Sequence, residues 1–177
     1  MTDQFEFGPE WRYELVDGVI VGHAAPSADH AAILAGLTGA LTRRMEDRTD
    51  GCRPEVGSGA APKNQQRATA RIPDAMIRCR EHPRVTFDIV SPSELRAWRA
   101  RDRHRQHLQD VEGVQEIVEV YQDEAAIHVY RKGPADAWVF EAINGLDATL
   151  VLGSVALEIP LVEIYRFVVL EERETPL

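Results

Sequence analysis

Two aspartates in strand-like surroundings carry the first chemical signal. Asp74 follows Pro73, and Asp88 interrupts the apolar run of Phe87, Ile89 and Val90. A carboxylate among apolar neighbours is costly to bury unless a partner offsets it. Residues 75–80 and 85–90 read as two strands around Glu81-His82-Pro83. With the turn centred on His82, Asp88 opposes Met76, and Asp74 lies two residues further along the same face. Diagonal neighbours of this kind sit ~7–8 Å apart at the backbone. Two carboxylates so placed suit one hard cation, Mg²⁺ or Mn²⁺, since Mg²⁺ is held by one or two carboxylates plus water and phosphate oxygens. A register slipped by one residue puts them on opposite faces instead. The plain alternative makes Asp74 a turn residue and Asp88 an interior polar residue.

A run of cations comes directly after the second aspartate. Arg96, Arg99, Arg101, Arg103 and Arg105, with His104 and His107, crowd one predicted helix. Arg96, Arg99 and Arg103 share a face, and Arg101 and Arg105 share another at i, i+4. This is the one local phosphate-attracting element of the chain. Its bland counterpart is a solvated face paired with Asp102, Asp110 and Glu112. Glu14 and His30, taken singly, read as structural. No HExxH, no G-x-S-x-G elbow and no GK[ST] after Gly57-Ser58-Gly59 is present, so zinc-protease, serine-hydrolase and phosphate-loop chemistries are weak readings.

The elements that must position these residues follow from periodicity and turn chemistry. Residues 11–21 read as a hairpin about Asp17-Gly18. Ser27 is an N-cap for a helix bearing Ile33, Leu37, Leu41 and Met45 on one face, ended near Gly51. Residues 52–71 read as an irregular strand, a mobile loop near 62–66 and a second short strand. Ser93 is expected to cap a continuous helix running to about Asp110, with Leu95, Trp98 and Leu108 apolar. Residues 116–121 and 126–130 form a hairpin, 138–143 and 149–152 are strands, and Pro160 opens a last helix. This order predicts an α+β (mixed α/β) fold, a mixed sheet with helices packed against it.

Composition sets the frame. The chain has 177 residues, 44% apolar and 28% charged, which suits a single globular domain over 1–177 with its core at about 11–168. No apolar stretch is long enough for a membrane span, and the first ten residues lack a secretory pattern, so no membrane partner and a cytoplasmic location are expected. The net charge of −9 excludes whole-molecule attraction to polyanions, so any nucleic-acid site is local. Lys63 and Lys132 are the only lysines, against eighteen arginines. Cys52 and Cys79 match no metal spacing and are expected as two buried thiols.

Taken in order, Tyr13-Glu14-Leu15-Val16-Asp17-Gly18, Pro26-Ser27, His30, Pro73-Asp74, the segment from Phe87 to Ser93, and Gly113-Val114-Gln115-Glu116-Ile117 resemble the Uma-two family. That family belongs to the restriction endonucleases of the PD-(D/E)xK nuclease superfamily. The resemblance spans about 11–164. It implies a restriction-endonuclease-like core, a mixed central sheet flanked by helices. It also implies metal binding by Asp74 and Asp88, with Glu14 as an upstream acidic member of the catalytic set. Asp88 stands where the family usually has Glu. The superfamily's lysine position is Val90 here, and the helix position that carries lysine in this family is Arg105. Arginine keeps the charge that stabilises a phosphoryl transition state but stays protonated, so it cannot take a proton from water.

The resulting expectation is a Mg²⁺-dependent endonuclease acting on nucleic acid, DNA ahead of RNA. Asp74 and Asp88 bind the metal, Glu14 and Arg105 complete the catalytic set, and Arg96, Arg99, Arg101 and Arg103 contact the phosphate backbone. The alternatives are a catalytically inactive relative that binds nucleic acid or protein, and a small interaction module. The apolar surplus of Val162, Phe167, Val169 and Leu170 predicts a homodimer.

Overall fold

The structure, a computed structural model, describes residues 12–23, 25–62 and 68–170. Local turn chemistry sets its first elements. Strands β1 (Arg12–Val16) and β2 (Val19–His23) pair antiparallel across Asp17 and Gly18, both at positive φ (52° and 80°), as a two-residue hairpin turn demands. Trp11, expected to open this hairpin, lies outside the described residues. Helix α1 (Ala28–Met45) begins at Ser27, whose hydroxyl accepts from the His30 N–H at 3.1 Å. Ile33, Leu37, Leu41 and Met45 form its buried stripe, as their spacing predicts.

The central sheet contains six strands in the order β3 (Cys52–Val56), β4 (Ala75–Cys79), β5 (His82–Val90), β6 (Glu116–Tyr121), β7 (Ala126–Lys132) and β8 (Trp138–Asn144). Only β5 and β6 run parallel. A parallel pair needs a crossover, here α2 (Pro92–Arg96) and α3 (Trp98–Gln109). A separate hairpin of β9 (Thr149–Leu152) and β10 (Leu157–Pro160) leads to the four-residue helix α4 (Leu161–Ile164).

The two faces of β5 do different things. Val85, Phe87 and Ile89 join the main core with α1, α4 and the β9–β10 hairpin. The alternate residues turn toward α3, where Met76, Leu108, Val111, Val114 and Ile117 form a smaller core. Asp88 therefore belongs to the α3 face. No helix among the described residues is long and apolar enough to cross a membrane.

Several expectations are corrected. The helix after β5 is not continuous: Ala97 adopts φ −91°, ψ 41° and separates α2 from α3. Ser91, not Ser93, caps α2, in a reciprocal capping box with Glu94. Trp98, expected on the apolar face, is 60% exposed. The side chain of Leu95 lies outside what is described. Among the described residues no second strand forms before residue 71. Instead Ala60 bridges Arg71 and Leu15 bridges Ala70, and most of the expected loop at 62–66 lies outside the described residues. Pro160 ends β10 rather than opening a longer helix. Cys52 and Cys79 stand opposite one another on β3 and β4 and form a disulfide, because the strand register brings their sulfurs together across 27 residues of chain.

Candidate active site

The β4–β5 hairpin turns at Arg80 and Glu81, with Arg80 at positive φ, and its register shifts after Ile77. Ala75 therefore pairs with Phe87 and Met76 with Thr86, not with Asp88. One step beyond the Ala75–Phe87 pair, Asp74, which immediately precedes β4, comes level with Asp88 rather than diagonal to it. The Asp74 carboxylate crosses to β5 and accepts the Ile89 N–H at 2.7 Å, one residue from Asp88. On the other side of Asp88, the parallel register places Glu119 of β6 directly alongside. Glu119 was not anticipated. Its only sequence signal is a charge inside the otherwise buried strand Glu116–Tyr121, and Glu116 carries the same signal for a different reason. Glu116 faces the opposite side and accepts from the N–H groups of Gly153 and Ser154 at 3.2 and 3.1 Å.

Asp74, Asp88 and Glu119 line a cavity of about 430 Å³ between the sheet, α3 and the β1–β2 hairpin. Each carboxylate has a cationic or hydrogen-bonding companion. Glu14, 4% exposed, accepts from the Ile72 N–H (2.7 Å), the Arg71 guanidinium (3.0 Å) and His23 (3.1 Å). Burial alone pushes its pKa up, but the hydrogen bonds from His23, Ile72 and Arg71 and the field of His104 outweigh this and hold it at about 2. Arg71 is itself only 5% exposed and donates to Nδ1 of His107 at 3.1 Å. Burial and the Arg71 charge push the His107 pKa down, so its nitrogen is available as acceptor.

Asp74 is also met by His30 at 3.1 Å. The Gln122 amide nitrogen lies 3.3 Å from Nδ1 of that ring. An amide nitrogen only donates, so Nδ1 accepts and the other ring N–H points at Asp74. His104 of α3 lies 3.2 Å from Asp88. Burial opposes its charge, but the Asp88 carboxylate beside it outweighs burial and raises its pKa. Glu119, 2% exposed, has its pKa raised because burial outweighs the attraction of Arg101 and Arg105.

The arginines of α2 and α3 divide into two groups. Arg96, Arg99 and Arg103 are exposed, and none makes an ion pair with another described residue; Arg103 reaches the cavity wall. Arg99 lies over the Trp98 ring at 5.3 Å. Arg101 lines the cavity, whereas Arg105 does not. Arg105 is held by Asp102, by Glu119 at 3.2 Å and by the face of Tyr130 at 4.3 Å.

Among the described residues, no three His, Cys, Asp or Glu side chains converge as a ready metal cage. Asp74 and Asp88 still suit a Mg²⁺-like ion, which takes most of its ligands from water and phosphate and needs only one or two carboxylates. Both are hard oxygen donors at the cavity wall, and the Ile89 N–H fixes the Asp74 carboxylate while leaving it further lone pairs.

Comparison with known proteins adds three findings. In fold, the chain is similar to a crystal structure described as "a putative nuclease belonging to DUF820" from Anabaena variabilis ATCC 29413. The two share 17% identity over 88% of this chain and 90% of the other, with a TM-score of 0.67. No curated protein matches the chain. The model of the Uma2 family, described as "Putative restriction endonuclease", matches residues 2–161. The chain belongs to the Uma2 family.

Proposed function

We propose that the protein is a divalent-metal-dependent endonuclease that hydrolyses nucleic-acid phosphodiester bonds in this cavity. The family's description as a restriction endonuclease and the fold's likeness to a nuclease support it, and make DNA the expected substrate ahead of RNA. The observation that carries the reading is the row of acids formed by the residue leading into β4 and by residues of β5 and β6. Asp74, Asp88 and Glu119 stand side by side on one cavity wall, opposite the cationic helix α3.

Asp74 and Asp88 would hold Mg²⁺ or Mn²⁺. A bound divalent ion supplies Lewis acidity, polarising a phosphoryl oxygen and acidifying water. The chain's own groups prepare the site. The Ile89 N–H and His30 fix the Asp74 carboxylate, and His104 fixes that of Asp88. Glu14 and Arg71 neutralise each other and shape the adjoining wall. Arg96, Arg99 and Arg103 are placed to bind the phosphate backbone, which positions a strand without reading its sequence.

A second reading has its own support. Arg105, where the resemblance implies a lysine, is tied to Asp102 and Glu119, which suits a relative that binds nucleic acid without cutting it. Calorimetry with Mn²⁺ and a plasmid cleavage assay separate the readings. Asp74→Asn and Asp88→Asn are each expected to lower Mn²⁺ affinity by tenfold or more and to abolish cleavage. Unchanged Mn²⁺ affinity in both variants refutes the metal site. Metal binding by a wild-type protein that leaves the plasmid intact selects the non-cutting relative.

A further inference from the structure

We infer, on the nuclease reading above, that Arg101 rather than Arg105 is the phosphate-binding cation of the cavity, and that Glu119 is the positioning residue that aims it. Arg101 and Arg105 lie one helical turn apart on α3, and both reach down to Glu119 on β6. The two oxygens of Glu119 are divided between them. Oε1 accepts from Arg105 at 3.2 Å, whereas Oε2 lies 3.6 Å from Nε of Arg101, close enough for attraction but too far for a hydrogen bond.

The consequences for the two guanidinium groups differ. Arg105 meets two carboxylates and stacks on Tyr130, so its charge is spent and its plane is covered. Arg101 lines the cavity, and its Nε and Nη1 are buried with no hydrogen-bond acceptor. Native proteins satisfy the great majority of buried donors, and an unmet pair on a charged group calls for a missing acceptor. An oxyanion entering the cavity is such an acceptor, and the forked N–H geometry of guanidinium matches phosphate oxygens. Glu119 holds Arg101 by charge without using up its donors, and the Tyr121 ring, 5.8 Å from the guanidinium carbon, limits its swing.

The ligand chemistry follows from the rest of the wall. Glu14, Asp74 and Asp88 give the cavity its own acids, which disfavours a lone organic carboxylate. Arg103 at the cavity wall, and Arg99 and Arg96 beyond it, extend the cationic line along α3 and α2. A series of cations leading up to one unsatisfied guanidinium suits a polymer with regularly spaced phosphates, one of which lies at Arg101.

The test is binding of a fluorescently labelled DNA oligonucleotide to the full chain by anisotropy, with Ca²⁺ present, across a salt series. Arg101→Ala is expected to weaken binding about tenfold. It should also flatten the slope of log K against log salt by about 0.7–0.9, the value of one lost phosphate contact. Arg101→Lys restores the slope but not the full affinity, and guards against a misfolded alanine variant. Arg105→Gln, which removes that charge, leaves slope and affinity within twofold. Glu119→Gln tests positioning through a double-mutant cycle: in that background Arg101→Ala costs less than threefold, because the side chain is no longer aimed. Wild-type slope and affinity in Arg101→Ala overturn the assignment of Arg101. Additive effects of the Arg101 and Glu119 changes overturn the positioning role. If the wild-type protein binds no oligonucleotide at low salt, the nucleic-acid reading of the cavity falls first, and this inference with it.

Discussion

Glu14→Gln removes one negative charge from a carboxylate of the site that accepts three hydrogen bonds, while keeping its volume. In the folded chain Glu14 accepts from the Ile72 N–H, Arg71 and His23, and its pKa falls from an ordinary 4.5 to about 2. That difference corresponds to about 3 kcal/mol of folded-state preference for the carboxylate. Breaking a buried ion pair by removing one partner costs ~3–5 kcal/mol, the same scale. The sign is fixed by the direction of the shift. A depressed carboxyl pKa contributes stability that is fully present above about 4.5 and is lost as pH falls toward about 2. Glu14→Gln should therefore destabilise the protein by about 3 kcal/mol at pH 7, or roughly 6–12 °C in melting temperature for a domain of this size. The gap between variant and wild type should begin to close as pH drops below about 4.5. Urea unfolding at pH 7, 5 and 4 measures it. A variant within about 0.5 kcal/mol of wild type at pH 7, a difference expected only of unimportant surface sites, refutes the structural role given to this cluster. So does a gap that widens as pH falls from 5 to 4.

Three further outcomes are expected. Gly36→Ala should cost about 1–3 kcal/mol in unfolding measurements, because a Cβ there would strike the backbone oxygen of Ile164 where α1 and α4 cross closely. Reduction of Cys52–Cys79 should cost about 3–4 kcal/mol by the chain-entropy estimate for its 27-residue separation, seen as a lower melting temperature with a thiol reductant than without. The exposed Val162, Phe167 and Val169 should pair two copies, so light scattering at micromolar concentration should give twice 19.8 kDa, with the 19.8 kDa monomer mass as the contrary result.

Sequence reasoning reached those parts of the fold whose determinants are local. Asp17-Gly18 specified a turn with two positive φ angles, and Ser27 with its apolar stripe specified α1. The strands from β4 to β9 follow the runs of apolar residues. What it missed depends on contacts between distant segments. The break at Ala97 carries no Gly or Pro, so nothing in its neighbourhood announces that α3 must restart at a new angle to cover the sheet. β10 hides behind Pro160, a residue that suits both a strand end and a helix start. Asp74 and Asp88 share a face, as the hairpin reasoning expected, but they are level rather than diagonal because the turn and the bulge each shift the pairing. Glu119 could not be placed at all without the parallel register between β5 and β6. Two glutamates in one strand, three residues apart, point to opposite faces, and only the fold decides which one meets the cavity.

That parallel register also explains why the cations and the acids meet. Strands β5 and β6 run the same way, so the chain must cross over between residues 90 and 116, and the crossover can cover only one face of the sheet. Val85, Phe87 and Ile89 give the opposite face to α1 and the main core. The crossover helices are left with the face that carries Asp88 and Glu119. Leu108 fastens the far end of α3 there, against Met76 and Ile117, while polar residues fill the near end. An apolar α3 in this position would leave three carboxylates facing a hydrophobic lid, at a high desolvation cost. The arginines and histidines of α3 offset that cost, two pairing with Glu119 and one with Asp88, while Arg99 and Arg103 face outward. The charge of the helix is thus required first by the fold, and the cationic approach to the cavity follows from the same topology.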